Sequence, residues 1–199
     1  MKPYSGACER NRDAILPVLR EALADSRHVL EIGSGTGQHA VYFAQQLPQL
    51  IWQTSDLPEN HKGILSWIED SGLPNVLAPL ALDANDRHWP EISVDAAFTA
   101  NTLHIMSWRS VKNLFPKLVR VLPAHAPLCI YGPFKYGGEF TSPSNASFDS
   151  MLRANDSESG IRDFEQVCKL ALENDLALAS DHAMPANNRM LVFRRGEAA

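Results

Sequence analysis

Residues 30–38 read Leu30-Glu31-Ile32-Gly33-Ser34-Gly35-Thr36-Gly37-Gln38, with glycine at every second position from 33 to 37. The stretch follows a short β-rich run and precedes a helical pattern over residues 38–46. Glycine lets the backbone turn sharply and lets a ligand approach with no Cβ in the way. In open α/β sheets, ligands bind beyond the carboxyl ends of the strands. We therefore predict a ligand-binding turn after the first strand.

Two missing signatures narrow the identity of that ligand. Counted from Gly33, the last glycine of the dinucleotide fingerprint GxGxxG is replaced by Gln38, and no GK[ST] of a P-loop follows. Glu31 precedes the first glycine, where a carboxylate would repel pyrophosphate but suit a cationic ligand. S-adenosylmethionine (SAM) carries a sulfonium and an ammonium group and no phosphate, so it fits this pattern. A tight turn that binds nothing is the alternative.

Two acids follow later strands. Asp56 ends the second predicted strand, where a carboxylate can accept hydrogen bonds from both ribose hydroxyls. Its alternative role is to cap the helix that we expect to have Pro58 in its first turn. Asp83 follows the third predicted strand and could accept from the adenine amino group; its alternative role is an Asx turn, and Asp86 is a weaker candidate. These acids fit SAM and a nicotinamide dinucleotide equally well.

Strand and helix patterns alternate from residue 28 onward, which predicts an α/β protein with a doubly wound, mostly parallel sheet in a three-layer sandwich. Residues 184–188 are too short for a parallel crossover, so the last two strands must be antiparallel. We expect 132–147 to be a long loop, and Pro17 to kink the first helix or mark its first turn. The predicted strands are 28–32, 51–55, 76–82, 94–100, 128–131, 177–183 and 189–194, and 163–173 is a predicted helix.

Composition limits the class of protein. The 199 residues carry a net charge of −5 and 45% hydrophobic residues, which suits one domain over 1–199 and argues against a nucleic-acid partner. The three cysteines form no CxxC pair and the histidines show no paired ligand spacing, so we expect no metal site. No apolar run approaches the length of a membrane helix, and the N-terminus lacks an apolar signal core. We therefore expect a cytoplasmic protein with no membrane partner.

Seven blocks of the chain resemble one known family. The chain is similar to the class I, seven-stranded SAM-dependent methyltransferases and, within them, to an uncharacterised methyltransferase-like family of unknown function, numbered 938. The last two blocks are the most specific to that family. The blocks are GACERN at 6–11, LEIGSGTGQHA at 30–40, TSD at 54–56, LDAND at 82–86, ANTLHIMSW at 100–108, YGPFKYGGEFTSPSNASFD at 131–149 and GIRDFE at 160–165.

The resemblance implies a strand order of 3-2-1-4-5-7-6 with strand 7 antiparallel. It also implies that SAM lies across the strand ends and leaves as S-adenosylhomocysteine. The N-terminal segment, 1–26, is expected to lie over the site, and 132–160 is expected to form a lid-like insertion. The expected cofactor-binding residues are Glu31, Gly33, Ser34, Gly35, Thr36, Gly37, Asp56, Leu57, Asp83, Ala84 and Asn101, with Arg10 and Asn11 from the N-terminal segment.

Methyl transfer from a sulfonium needs alignment and exclusion of water, and a base only when the acceptor arrives protonated. We nominate His104, Tyr131 and Lys135 as catalytic residues. Their alternative roles are a packing histidine, a core tyrosine and a solvated loop lysine, respectively. Because the chain leaves no room for a separate substrate domain, we expect a small-molecule acceptor.

Three other functions stay open from the sequence. A catalytically silent SAM-binding protein would carry the same motifs, because methyl transfer has no diagnostic catalytic residue. An NAD-dependent oxidoreductase is disfavoured by Gln38 and by the antiparallel last strand. An aminopropyl transferase is disfavoured because no acidic polyamine cradle is evident. The sequence does not identify the acceptor, the attacking atom or the oligomeric state.

Overall fold

A computed structural model describes residues 2–197 of the chain. Its helices are α1 (Gly6–Ala22), α2 (Gln38–Gln46), α3 (His61–Ser71), α4 (Trp108–Val121), α5 (Pro143–Asn155) and α6 (Phe164–Leu172). Its strands are β1 (His28–Ile32), β2 (Ile51–Asp56), β3 (Val76–Ala81), β4 (Ala96–Ala100), β5 (Pro127–Gly132), β6 (Phe134–Tyr136), β7 (Glu139–Phe140), β8 (Arg162–Asp163), β9 (Leu176–Met184) and β10 (Asn188–Arg195).

Seven strands form the main sheet in the order β3-β2-β1-β4-β5-β10-β9. All neighbours pair in parallel except β10, which is antiparallel to both β5 and β9. Since β9 and β10 are the sixth and seventh strands of this sheet, the predicted order 3-2-1-4-5-7-6 is confirmed. From β1 the chain adds β2 and β3 on one side of the sheet and then continues with β4 and β5 on the other side. The switch point therefore lies between β1 and β4.

Alternating side chains of the sheet enter two separate hydrophobic cores. Val29 and Phe98 pack with α1 and α2 on one face, whereas Leu30 and Ala97 pack with α4 and α6 on the other. Successive residues of a strand point to opposite faces, so a sheet covered on both sides needs apolar residues at nearly every position. The predicted three-layer sandwich is therefore confirmed.

Most predicted boundaries agree with the structure. The strand β1 and the helix α2 have the predicted bounds, and the other strands of the main sheet differ by one or two residues at their ends. The prolines are the exceptions. Pro17 lies inside α1 well beyond its first turn, and Pro58 begins a short 3₁₀ turn, Pro58–Asn60, ahead of α3.

The prediction of a long loop over 132–147 is wrong. The segment contains β6, β7 and the start of α5, and β6 also pairs with β8 in a second, three-stranded sheet. Phe134 is buried against the main core, Gly137 and Gly138 supply the left-handed turn of the hairpin, and Ser142 caps α5. The glycine, serine and proline residues are thus turn and capping residues of regular elements.

Within residues 2–197, no helix has both the length and the apolar character that crossing a bilayer requires.

The strands β1, β2, β3 and β4 run in parallel and end at one edge of the sheet. The loops that follow these strands therefore meet at that edge, next to the switch point.

Gly37 and Gly72 give a matched test of the packing at this edge. Both have positive φ, +88° and +62°, but a Cβ at Gly37 would lie 3.0 Å from Ile64 Cα, whereas a Cβ at Gly72 would meet nothing within 4 Å. We expect Gly72→Ala to lower the free energy of unfolding by about 1–2 kcal/mol through backbone strain alone. Gly37→Ala should cost about 1–3 kcal/mol more through overpacking. Urea titrations measure both free energies of unfolding, and an equal decrease for Gly37→Ala and Gly72→Ala would contradict this account.

Candidate functional site

A cavity of about 700 Å³ opens at the carboxyl edge of the sheet. It is lined by the glycine turn after β1 and by the segments that follow β2, β3 and β4, with the first turn of α1 on one side. A larger cavity, of about 1030 Å³, lies near the start of β1 and the end of α4, and none of the predicted site residues lines it. Position at the switch point therefore favours the smaller cavity as the functional site.

The structure brings most of the predicted site residues together. Predicted residues that line this cavity are Gly33, Ser34, Gly35, Thr36, Asp56, Leu57, Asp83, Ala84, Asn101 and His104. Predicted residues that do not line it are Arg10, Asn11, Glu31, Gly37, Tyr131 and Lys135. Position in the lining does not assign a role, so the roles of both groups stay predictions.

The amides of the glycine turn are largely used by the protein itself. The Ser34 amide donates to the Ser55 carbonyl at 2.9 Å, and the Gly37 amide donates to the Ser34 carbonyl at 2.8 Å. The Gly35 amide donates to Asp56 Oδ2 at 2.7 Å. A phosphate-binding loop needs free amides that converge on the anion. This turn instead presents a carboxylate where such an anion would bind.

Glu31 is buried beneath the turn rather than exposed to the cavity. Its Oε2 atom accepts hydrogen bonds from Ser34 Oγ at 2.9 Å and from Trp52 Nε1 at 3.1 Å. Burial raises the pKa of Glu31 to about 7; the two hydrogen bonds lower it, and the charge of Asp56 raises it further. Its carboxyl group therefore changes charge close to neutral pH.

Asp56 and Asp83 both accept local hydrogen bonds. Asp56 Oδ1 accepts from the Leu57 amide at 2.7 Å and from Asn60 Nδ2 at 2.8 Å, but the N-cap residue of the 3₁₀ turn is Leu57 and no side chain within residues 2–197 caps this turn. Asp83 Oδ1 accepts from the Asn85 amide at 2.7 Å in an Asx turn. These contacts leave acceptor capacity on both carboxylates, because each ionised oxygen can accept more than one hydrogen bond.

The loop of residues 103–106 forms one end of the cavity, and His104 is buried there. Its ring packs edge-on against Phe148 of α5, with centroids 5.3 Å apart. Burial lowers the pKa of His104 to about 4, and the charge of Arg162 lowers it further. At neutral pH the imidazole is therefore uncharged and keeps a lone pair that can accept a proton.

The residues before and within β8 hold this loop through its carbonyl groups. The Gly160 amide donates to the His104 carbonyl at 2.8 Å, and Ser159 Oγ donates to the Ile105 carbonyl at 2.7 Å. Arg162 Nε donates to the Leu103 carbonyl at 3.0 Å, and its Nη2 donates to the Met106 carbonyl. Each backbone carbonyl from 103 to 106 thus has a donor from 159–162.

Two nominated catalytic residues lie away from the cavity lining. Tyr131 points into the core that contains α1 and α2, because its neighbour Ile130 faces the opposite core. Lys135 belongs to the second sheet, where its Nζ lies 5.4 Å from the ring centroid of Phe140. Neither side chain lines this cavity, and their catalytic roles stay predictions.

Several lining residues were not predicted from the sequence. Cys8 and His39 lie within quoted blocks, but their distance along the chain gave no sign that they meet. Phe148 comes from α5, which was assigned in part to a loop. The other unpredicted residues of the lining are Ser5, Ala7, Ile32, Asn60, Leu82, Asn85, Trp89, Ala100, Thr102, Ile105, Met106, Ser110 and Leu114.

This strand order, with an antiparallel last strand and a cavity at the switch point, is the fold of the class I methyltransferases. The chain belongs to the family described as "Protein of unknown function (DUF938)", whose model matches residues 2–195. The resemblance inferred from the sequence blocks is thereby confirmed.

Solved structures that are similar in fold to this chain include several methyltransferases. An O-methyltransferase family 2 protein from Planctomyces limnophilus, in complex with apigenin, matches with a TM-score of 0.83 and 19% identity over 96% of this chain and 58% of that one. Human N-acetylserotonin methyltransferase in complex with SAM matches with a TM-score of 0.81 and 14% identity over 96% of this chain and 53% of that one. An O-methyltransferase family protein from Burkholderia thailandensis matches with a TM-score of 0.80 and 16% identity over 94% of this chain and 59% of that one. The chain thus spans little more than half the length of these proteins, and the likeness shows the fold.

The raised pKa of Glu31 predicts a pH-dependent stability. The pKa of about 7 in the folded protein exceeds the ordinary value of 4.5 for a glutamate, so the protonated form stabilises the fold below pH 4.5, and this stabilisation is lost as pH rises through 7. Glu31→Gln should therefore gain on the order of 3 kcal/mol relative to the wild type between pH 5 and pH 8. Urea unfolding across this range measures it, with the exposed Glu59→Gln as control; parallel curves for Glu31→Gln and the wild type would refute the assignment.

The contacts of Arg162 predict that it helps to keep His104 uncharged. Arg162→Gln removes a positive charge and loosens the loop that buries the imidazole, so the pKa of His104 should rise by about one unit from its value of about 4. Histidine NMR titration of the folded variant measures this shift. The exposed Arg109→Gln on α4 is the control for a general loss of charge, and an unchanged His104 pKa in Arg162→Gln would contradict the prediction.

Proposed function

We propose that the chain is a SAM-dependent methyltransferase that acts on a small-molecule acceptor and releases S-adenosylhomocysteine. The observation that carries this proposal is the hydrogen bond from the Gly35 amide to the Asp56 carboxylate. It places negative charge at the turn and removes a donor that a pyrophosphate would need. An adenosine cofactor without phosphates and with positive charge suits this turn better than a nicotinamide dinucleotide does.

The residues present fit that cofactor. Asp56 would accept from the ribose hydroxyls and Asp83 from the adenine amino group, with the glycine turn against the amino-acid portion. The carboxyl of Glu31, 2% exposed beneath the turn, would favour positive charge above it once ionised. The volume of about 700 Å³ lies within the range of about 300–1,000 Å³ usual for small-molecule sites, which leaves space for a small acceptor.

The chain itself would align the reactants, exclude water and accept a proton. Bound SAM supplies a methyl group already activated by its sulfonium sulfur. His104 would accept a hydrogen bond from an acceptor hydroxyl and take its proton as the methyl group transfers, because burial keeps the imidazole uncharged at neutral pH; its pKa of about 4 also makes it a weak base. The carbonyl contacts of the 103–106 loop would fix this imidazole at one position.

Apolar side chains surround His104 at the same end of the cavity. Ile105 is 59% exposed, and Met106 and Phe148 also belong to the lining. A hydroxyl acceptor with an apolar or aromatic face would cover these side chains. Two structural neighbours agree with this class: one was solved with apigenin, and another is mitomycin 7-O-methyltransferase.

We further propose that the N-terminal segment covers the cofactor and that α5 covers the acceptor. The Trp67 indole donates to the Pro3 carbonyl at 2.7 Å, and Gln38 Nε2 donates to the Ser5 carbonyl at 3.4 Å. These contacts hold 3–8 against α2 and α3, with Ala7 and Cys8 in the lining. The assignment of 1–26 and 132–160 as covering segments of one domain over 1–199 rests on this placement.

Calorimetry with three ligands tests the cofactor. We expect SAM and S-adenosylhomocysteine to bind and NAD not to bind. Asp56→Asn and Asp83→Asn should each weaken S-adenosylhomocysteine by about ten- to hundred-fold, because each loses a hydrogen bond to a charged acceptor. Asp86→Asn is the matched control for Asp83, since Asp86 is exposed, lies outside the lining and should bind as the wild type does.

The same protein then tests activity. Incubation with methyl-labelled SAM and a panel of small phenols should move label into an organic-soluble product. Binding of S-adenosylhomocysteine without label transfer across broad extracts would favour a catalytically silent protein instead. Binding of NAD alone would end the proposal.

A further inference from the structure

The larger cavity, which we call the basic cavity, lies at the amino edge of the sheet, opposite the proposed cofactor site. It has a volume of about 1030 Å³ and borders the starts of β1 and β4 and the end of α4. Its lining consists of His28, residues 87–95, Lys117, residues 120–123 and Arg195. The proposed methyl transfer uses none of these residues.

One wall of the basic cavity is the connection between β3 and β4. Parallel strands are usually connected through a helix, but residues 82–95 form neither a helix nor a strand. Leu82, Ala84 and Val94 are buried in the core and Trp89 packs against it, so this loop is anchored along its length. A loop this long without regular structure is uncommon inside a compact domain, and when it is ordered it usually has a function.

Positive side chains outnumber negative ones in the lining. Four cationic and two acidic side chains line the cavity: Arg87, Lys117, Arg120 and Arg195 against Glu91 and Asp95. Both carboxylate oxygens of Asp95 already accept from the backbone amides of Arg27 and His28, at 2.9 to 3.1 Å. Within residues 2–197, no carboxylate forms an ion pair with Arg87, Lys117 or Arg120. The cavity is thus a positive region of a chain whose net charge is −5.

His28 contributes an unpartnered polar atom to the same lining. Its Nε2 atom is buried and has no hydrogen-bond partner among the described residues. Buried polar atoms in folded proteins nearly always have a partner, so this exception needs an explanation. The backbone amide of His28 is satisfied by Asp95, and only the imidazole lacks a partner. An imidazole with its hydrogen on Nε2 would donate it to a ligand oxygen at this wall.

The chemistry of the lining matches a phosphate group that is attached to an organic molecule. Arginine guanidinium groups bind phosphate oxygens in pairs, and a lysine ammonium adds a compact positive charge. Arg87 and Arg120 are exposed and come from two different segments, so they can contact a dianion from two sides. Trp89, Ile92 and Pro123 add apolar surface to the same lining, which a phosphate ion alone would leave uncovered.

We propose that the basic cavity is a second binding site, which takes a small phosphorylated organic molecule. The phosphate group lies against Arg87, Arg120 and Lys117, and the organic part lies against Trp89. A nucleic acid is a poorer match, because the cations surround a concave cavity instead of forming an extended stripe, and because the chain is acidic.

The basic cavity and the cofactor cavity at the other edge of the sheet share a wall. Trp89 lines both, and its indole donates to the Asp83 carbonyl at 2.8 Å. Lys117 Nζ donates to the Ala84 carbonyl at 2.6 Å. Side chains of the basic cavity therefore hold Asp83 and Ala84, two of the expected cofactor-binding residues. A phosphate that fixes Trp89 and Lys117 should favour cofactor binding, and this coupling rests on the proposed function.

Calorimetry with phenyl phosphate and inorganic phosphate tests the site. Phenyl phosphate should bind about five-fold more tightly than inorganic phosphate, because its ring covers apolar surface. Arg87→Gln and Arg120→Gln should each weaken phenyl phosphate about ten-fold, because each removes a charge-assisted contact. Both arginines are exposed, so both variants should fold. Arg109→Gln, exposed on the same helix as Arg120 but outside the lining, should bind phenyl phosphate as the wild type does.

Three results would overturn the proposal. The first is no binding of phenyl phosphate up to about 10 mM, and the second is an equal loss of binding in Arg109→Gln and Arg120→Gln. The third is tighter binding of a short single-stranded RNA that is lost in Arg87→Gln and Arg120→Gln, which would indicate a nucleic-acid site. Equal affinities for phenyl phosphate and inorganic phosphate would refute the contact with the organic part.

A competition experiment separates the two cavities. Saturating S-adenosylhomocysteine should leave phenyl phosphate bound and tighten its binding about five-fold, since the coupling is reciprocal. Displacement of phenyl phosphate would place it in the cofactor cavity and overturn the proposal, whereas an unchanged affinity would refute the coupling through Trp89 and Lys117. Failure of S-adenosylhomocysteine to bind at all would refute the proposed function instead, and the arginine variants would still decide whether the basic cavity binds phosphate.

Discussion

The hydrogen bond between the Gly35 amide and the Asp56 carboxylate, 2.7 Å from N to Oδ2, joins the first two strands at the point where a ligand would enter. It requires a glycine turn with a left-handed backbone, since Gly35 has a φ of +58°, and an acid at the end of β2. The parallel register of β1 and β2, which pairs Ile32 with Ser55, brings these two groups side by side. The bond occupies a backbone donor of the turn with a carboxylate, and the proposed preference for a cofactor without phosphates depends on it.

The two ends of the cavity are held in place by different kinds of contact. At the glycine turn, backbone groups and acids come from consecutive strands of one sheet, and their positions follow from strand pairing. At the other end, the 103–106 loop is held by donors from 159–162, far along the chain. Two of the donor residues, Gly160 and Arg162, belong to the GIRDFE block at 160–165, so this block contacts the cavity loop through the loop's backbone carbonyls.

Local patterns were enough to predict the strands, the glycine turn and the positions of Asp56 and Asp83 after two of the strands, because each depends on residues close together in the chain. The order of the strands came instead from the resemblance to a known family. Tyr131 illustrates where this reasoning stops: a strand buried on both faces is apolar throughout, so its sequence does not say which side chain faces the site. The segment 132–147 was misread because glycine and serine serve equally in loops and in the turns and caps of short elements. The contact between Cys8 and His39 depends on how α1 packs against α2, and no spacing in the sequence encodes that packing.

The position of β10 has a consequence for synthesis of the protein. This strand lies between β5 and β9, so it is an interior strand of the sheet although it is the last strand of the described chain. While a ribosome is still making residues 188–195, β5 and β9 have no shared partner, and both present open edges to other chains. The nascent chain therefore cannot complete this sheet until residues 188–195 have been made, so chaperone protection of these edges is most valuable before that point.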